Sequence, residues 1–353
     1  SGGKSVNNPC LSKDDSYKYI NNIEEQLAKL RKSLLDTEEI TKLEIAFYHM
    51  KGRHFIRQGQ YEKGIELIRE MINNSLRIND IDHLLKGYRQ LVYYGIQTRD
   101  MRAMKDNVEV GLNMAREYGL NADVAMFLRL YGLYKIMNKE YKYAEELLNQ
   151  CIYKFLSIDD SKDRYCMHIA AAYSYLGDIR RYNMKFQRSL QYYDKAISLC
   201  ENKIEGGSLA IFCTRAGQAA YDAGDYIRAK DYFLRAIQIY NKSDSIWGRG
   251  IAEGYMTLIL ITEGYHKKAL ESLKRADEYS RKIKNPYEIG LVFRIKAEIR
   301  YKMETNNKLS EVFNEYLYQD LHTYCEEGIR YLKSSNDAYQ IDILKMFMNR
   351  YYA

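Results

Sequence analysis

Residues 210–240 read AIFCTRAGQAAYDAGDYIRAKDYFLRAIQIY. Two helix-length stretches flank the dipeptide Gly224-Asp225, and neither contains proline. In the second stretch Ala229, Phe233 and Ala236 stand at i, i+4 and i+7, one face of a helix. In the first, Gly217 is the small residue that lets a partner helix approach closely. Glycine accepts the backbone conformation that a tight helix exit requires, so Gly224 is read as the bend. Tyr226 and Phe233 are expected to fill the seam. The segment is one helical hairpin.

The same pattern recurs along the chain. The small-residue column of the first helix reads Gly52, Val92, Gly132, Gly177, Gly217, Thr257 and Ala297, spaced by 40 residues except for one step of 45. The turn column reads Gly59, Arg99, Lys139, Met184, Gly224 and Gly264. The second helix carries Gly64, Met104, Ala144, Ser189, Ala229 and Ala269. Four residues later stand Ile68, Val108, Leu148, Tyr193, Phe233 and Leu273. A hairpin of this size cannot bury its apolar face alone, so stacked neighbours must supply the core. The expectation is an all-α, right-handed α-solenoid of about seven hairpins with a period near 40 residues. Residues 1–13 are read as a linker, 14–335 as the array with a leading helix at 17–35, and 336–353 as a closing cap helix. The seventh hairpin carries an insertion: a first helix at 288–301, a polar stretch at 304–309, a short helix, and a second-helix analogue at 324–332. Asn121-Ala122-Asp123, Asp159-Asp160-Ser161, Gly206-Gly207-Ser208 and Asp244-Ser245 supply turn and N-cap groups between units. Lys284-Asn285-Pro286 ends one helix and starts the next. No composition shift marks a domain boundary.

Over residues 43–332 these columns resemble the signature of the tetratricopeptide-repeat superfamily, whose ordinary repeat is about 34 residues. The longer period resembles the regulatory arrays of bacterial signalling proteins. These are the sensor arrays of MalT-like and SARP-type transcription activators, and the peptide receptors of the Rap and RNPP type. Ile246-Trp247-Gly248-Arg249 through Gly254-Tyr255, and Asn285-Pro286-Tyr287-Glu288, look most like the activator arrays. The resemblance implies a cytoplasmic, bacterial regulatory domain that binds a peptide, a small effector or a partner protein, and that is not an enzyme. Alternatives are a constitutive protein–protein scaffold or adaptor, and a Rap-type phosphorelay regulator. Both transcription-factor groups carry a helix-turn-helix outside the array. None is read in these residues, so direct nucleic-acid binding by this segment is not expected.

Composition narrows the classes further. With 46% hydrophobic and 29% charged residues, the chain is too apolar for intrinsic disorder. Its net charge of +7 is spread among interleaved acids and bases rather than gathered into a nucleic-acid stripe. Only Pro9 and Pro286 interrupt helix formation. No apolar run approaches the roughly 18 residues of a membrane span, so no membrane partner is expected. Cys10, Cys151, Cys166, Cys200, Cys213 and Cys325 form no C-x-x-C pair and are read as reduced, buried thiols. The six histidines include His49 and His54, five apart and so on different helix faces, and none fits a metal-ligand spacing. Gly248, Gly250 and Gly254 miss the dinucleotide spacing and lack a preceding strand. No cofactor, metal or catalytic set is expected.

The candidate site is the concave lining, which in such arrays comes from the first helix of each hairpin. Those columns hold His49, Arg53, Ile56 and Arg57, then Lys86, Arg89 and Tyr93, then Met126, Arg129 and Leu133. They continue through Ser174, Asp178, Arg181 and Tyr182 to Thr214, Gln218, Tyr221 and Asp222. The sixth hairpin is apolar there (Ile251, Leu258, Ile261), and the seventh holds Arg294, Glu298 and Tyr301. The ligand-binding residues expected from this are Arg53, Arg57, Lys86, Arg89, Tyr93, Arg129, Asp178, Arg181, Gln218 and Tyr221, facing solvent. Arg53, Arg57, Lys86, Arg89 and Arg129 have no acid in their columns, and guanidinium forks suit carboxylates and phosphates. The middle hairpins add amides, hydroxyls and phenol rings. The set suits an extended peptide or polar effector with an anionic end. Phe347, Tyr351 and Tyr352 give the cap an apolar edge through which a homodimer is conceivable.

Overall fold

A computed structural model describes residues 13–33, 37–158, 164–201, 206–243, 245–334 and 337–351. Among them stand seventeen α-helices and no strand. Helix α1 (Lys13–Ser33) leads the array. Hairpins then follow as α2 (Glu38–Arg57) with α3 (Tyr61–Arg77), α4 (Ile81–Thr98) with α5 (Met101–Glu117), and α6 (Asn121–Met137) with α7 (Tyr141–Ile158). Next come α8 (Cys166–Tyr182) with α9 (Phe186–Cys200), α10 (Gly207–Asp222) with α11 (Tyr226–Asn241), and α12 (Arg249–Thr262) with α13 (His266–Ile283). The seventh pairs α14 (Pro286–Met303) with α16 (Leu321–Lys333), and α15 (Asn307–Phe313) is the inserted helix. Leu309 and Phe313 of α15 are fully buried, so the insertion joins the core. Helix α17 (Ala338–Tyr351) closes the array. The chain forms two compact units, residues 1–131 and 132–353. The division falls inside α6, where composition does not change.

Four of the seven hairpins close on a missing side chain in this column. A Cβ added to Gly52 would stand 2.9 Å from Ile68, and one on Gly132 would stand 2.9 Å from Leu148. At Gly177 and Gly217 it would come within 2.6 Å of Tyr193 and Phe233. All four large partners are completely buried. The small column of one helix is therefore the socket for the large column of the next. Tyr226 departs from its expected role. It is 48% exposed and lies edge-on against Tyr221 at 5.1 Å, outside the seam that Phe233 fills. As the first residue of α11 it sits at the mouth of the turn, before the helices converge.

The turn column is left-handed at all six positions. Gly59, Gly224 and Gly264 have φ of 75°, 78° and 81°, and Arg99, Lys139 and Met184 have 59°, 62° and 56°. A residue with a Cβ pays about 1–2 kcal/mol for that region, so three hairpins hold their bend against local strain. Of the expected caps, Asn285 accepts from the N–H groups of both Tyr287 and Glu288, at 3.0 and 3.2 Å. Asp159, Asp160, Ser161 and Asp244 lie outside the described residues. The two segments singled out in the sequence meet. Glu288 Oε1 accepts the Gly248 N–H at 2.7 Å, and Tyr240 Oη donates to the Trp247 carbonyl at 2.7 Å. Cys151, Cys166, Cys200, Cys213 and Cys325 are buried thiols, and Cys10 lies outside the described residues. Among the described residues no helix is long and apolar enough to cross a membrane.

Met184 is 63% exposed, so its side chain contributes little burial to offset its strained backbone. Met184→Gly is expected to raise stability by about 0.5–1 kcal/mol, and Gly224→Met to lower it by more. Chemical denaturation of the two variants checks both signs.

Candidate functional site

In the first unit three guanidiniums gather around one phenol. Arg129, 4% exposed, donates from Nη2 to Tyr93 Oη at 2.8 Å. Burial raises the Tyr93 pKa, but the charge and hydrogen bond of Arg129, then the charges of Arg89 and Arg53, bring it below the ordinary tyrosine value. His49 on α2 belongs to the same group. Burial first, then Arg53, Lys86, His83 and Arg89, push its pKa down to about 3, so it is neutral near pH 7. Arg53 is half-buried, and its pKa is lowered by burial and by the neighbouring Arg89.

Acids outside the expected columns answer part of this charge. Asp123, in the first turn of α6, pairs with Arg89, and Asp82 pairs with Lys86 across one turn of α4. Arg53 has no carboxylate partner among the described residues. The side chain of Arg57 lies outside the described residues. Asp80, Asp82 and His83 offer ligand atoms within 4.8 Å of one another. Each is already engaged: Asp80 caps α4 through the His83 N–H and bonds the His83 ring at 2.7 Å, and Asp82 holds Lys86. They form a helix start rather than a metal centre.

The second unit brings its expected residues together in a different way. Arg181 Nε donates to Asp222 Oδ2 at 2.8 Å, with both side chains almost wholly buried. Asp178 accepts from Tyr193 Oη at 2.6 Å and pairs with Arg215 at 2.7 Å. Burial nevertheless leaves the Asp178 pKa raised. Arg294, 2% exposed, pairs with Glu298 at 2.6 Å and lies 5.2 Å over the Tyr255 ring. Tyr221 Oη reaches the same Glu298 at 3.3 Å, and Gln218 is 3% exposed.

Solved structures share this architecture. A Rap protein in complex with competence and sporulation factor superposes with a TM-score of 0.60 at 17% identity, over 95% of this chain and 94% of its own. NprR in complex with its cognate peptide NprX gives 0.52 at 16% identity, over 97% and 95%. The apo form of RapI gives 0.51 at 18% identity, over 82% and 99%. This chain has the fold of the Rap and NprR proteins. No protein-family model matches it, and no curated protein sequence does.

Within the Rap-type fold, the expectation that the lining residues face solvent fails for Arg129, Asp178, Arg181 and Gln218, all under 9% exposed. The columns placed them on one surface correctly. In the second unit that surface folds against itself: Arg181 reaches a residue 41 positions on, and Tyr221 one 77 positions on. Long polar side chains from successive hairpins then satisfy each other. Sequence reading also missed Asp337 and Gln340, which approach the same lining from α17. Gln340 is fully buried and accepts from Arg294 Nε at 2.9 Å.

Removing one partner of a buried ion pair strands a charge and costs about 3–5 kcal/mol. Asp222→Ala is therefore expected to be severely destabilising. Arg181→Met combined with Asp222→Leu should recover most of the loss. Urea midpoints of the single and double variants check this, and additive losses would show that the pair is not coupled.

Proposed function

We propose that this chain is a regulatory module that recognises a peptide with an anionic end, and that the Arg53, Arg89, Tyr93 and Arg129 group of the first unit holds the anion. The observation that carries the reading is Arg53. It is a half-buried guanidinium facing other guanidiniums, with no carboxylate of its own among the described residues. A desolvated cation without a partner is expensive, and a ligand carboxylate in a bidentate contact relieves that cost. The solved complex of NprR with its cognate peptide NprX supports a peptide rather than a small metabolite on this fold. In this reading the chain acts by binding, inside the cell, and a second protein or domain carries out the response.

The test is a thermal-shift screen with short synthetic peptides, each with a free and an amidated C-terminus. A ligand that binds only the folded state raises the melting temperature. Free-carboxylate peptides should raise it, and their amidated forms should do so less. Arg53→Gln should weaken the best peptide about tenfold or more, as expected for a charge-assisted contact of about 1.5–3 kcal/mol. Arg53→Lys should recover only part of the affinity. An anion placed there offsets the cations around His49, so the His49 pKa should rise from about 3 on binding; proton–carbon NMR of the imidazole reads this directly. Unchanged affinity in Arg53→Gln together with an unmoved His49 would take the anion site out of the first unit.

A further inference from the structure

Helices α9 and α11 carry nearly the same three residues one repeat apart. Arg188, Tyr192 and Lys195 of α9 stand 40 positions before Arg228, Tyr232 and Arg235 of α11. At i, i+4 and i+7, each set occupies one helix face. On α11 that face is closed by acids of the preceding second helix, α9. Asp194 pairs with Arg228 at 2.6 Å and also accepts from Tyr232 Oη, and Glu201 pairs with Arg235 at 2.8 Å.

For α9 the preceding second helix is α7, and it does not supply those acids. Counted from Ala144 of α7 and Ser189 of α9, which share a column, the positions of Asp194 and Glu201 are held in α7 by Asn149 and Leu156. Arg188 and Lys195 accordingly have no carboxylate partner among the described residues. A cavity of about 270 Å³ opens beside them, lined by Arg180, Arg188, Gln191, Tyr192 and Lys195. Arg180 is the one lining cation that meets an acid, Glu145 of α7. The Tyr192 ring stacks on Tyr173 at 6.3 Å, and Lys195 Nζ stands 5.8 Å over it. Two guanidiniums, an ammonium, an amide and a phenol thus converge on a space that no acid lines.

We propose that this cavity binds a phosphate monoester, whose oxygens take the place that Asp194 and Glu201 fill in the next groove. The unpaired charge there is one guanidinium and one ammonium. It matches the charge of about −1.5 to −2 that a phosphate monoester carries at pH 7. Arg188 presents a planar fork to the phosphate oxygens, and Lys195 a point charge. The volume is at the small end for ligand pockets, so it holds the phosphate and roughly one ring beyond it. The site is turned away from the first-helix lining: Arg180 borders it, whereas the next residue, Arg181, reaches Asp222. It is therefore separate from the anion site proposed in the first unit and does not depend on a peptide.

The probe is phenyl phosphate, titrated calorimetrically into the full-length chain, with benzoate and inorganic phosphate titrated alongside. Phenyl phosphate should bind. Benzoate should bind more weakly because it carries a single charge, and inorganic phosphate because it leaves the Tyr192 side of the cavity uncovered. Arg188→Gln combined with Lys195→Gln should weaken phenyl phosphate about tenfold or more, as expected for lost charge-assisted contacts. Both side chains are exposed, so the fold should persist. The sharper variant is Asn149→Asp, which restores the acid that the next groove carries. It should weaken phenyl phosphate by a similar factor while the melting temperature stays at or above that of wild type. Arg53→Gln should leave this titration unchanged, which separates it from the first-unit site. No binding of phenyl phosphate, or equal binding of benzoate or inorganic phosphate, overturns the proposal. So does full affinity in either groove variant, and a loss of binding in Arg53→Gln would place the phosphate in the first unit instead.

Discussion

Helix backbones in four of the hairpins pack as closely as they do because one helix gives up a side chain where the other presents a large one. The pairs Gly52–Ile68, Gly132–Leu148, Gly177–Tyr193 and Gly217–Phe233 repeat the arrangement along the chain. Everything else is positioned by it. A hairpin closed this tightly has only one outward edge for its first helix, so polar residues placed four positions apart on that helix share a surface. Dense interiors tolerate little change of volume, so the socket residue is more constrained than the solvent-exposed residues around it. Where the socket also needs a polar link, Ser189 supplies it by donating to the Gly177 carbonyl at 2.9 Å.

The two units take the same design to different electrostatic ends. In the second, the buried Arg181 and Arg294 meet Asp222 and Glu298, and the partly buried Arg215 meets Asp178. These pairs offset their desolvation cost internally and are better suited to fixing geometry than to gaining stability. In the first, Asp123 pairs with Arg89 and Arg129 donates to Tyr93, while burial and the neighbouring cations set the pKa values of the Tyr93 phenol and the His49 imidazole.

The hairpins and their turn positions were readable because they repeat, and the insertion because it interrupts the repeat with a polar stretch. A period of 40 residues exposes Arg99, Lys139 and Met184 as turn residues even though none is glycine. The lining columns were readable for the same reason, and His49, Arg53, Lys86, Arg89, Tyr93 and Arg129 do come together. What the sequence hid are contacts that lie outside the repeated columns. Asp123 lies in a helix start, a position usually read as a cap. Asp337 and Gln340 lie in a helix with no counterpart in the repeat. The inward fold of Arg181, Gln218 and Tyr221 depends on how far one hairpin turns from the next, and small changes in packing angle set that quantity without leaving a mark on any single residue.

The buried cysteines give this architecture a built-in set of clocks. They sit one per helix in α7, α8, α9, α10 and α16. Burial pushes the Cys213 thiol up to about 11 and the Cys325 thiol up to about 12, so at neutral pH neither is a nucleophile while its helix is in place. A thiol of this kind reacts with an alkylating reagent only after its surroundings part. In a stacked array, where each hairpin leans only on its neighbours, the order in which the five thiols become modified is the order in which the stack comes undone.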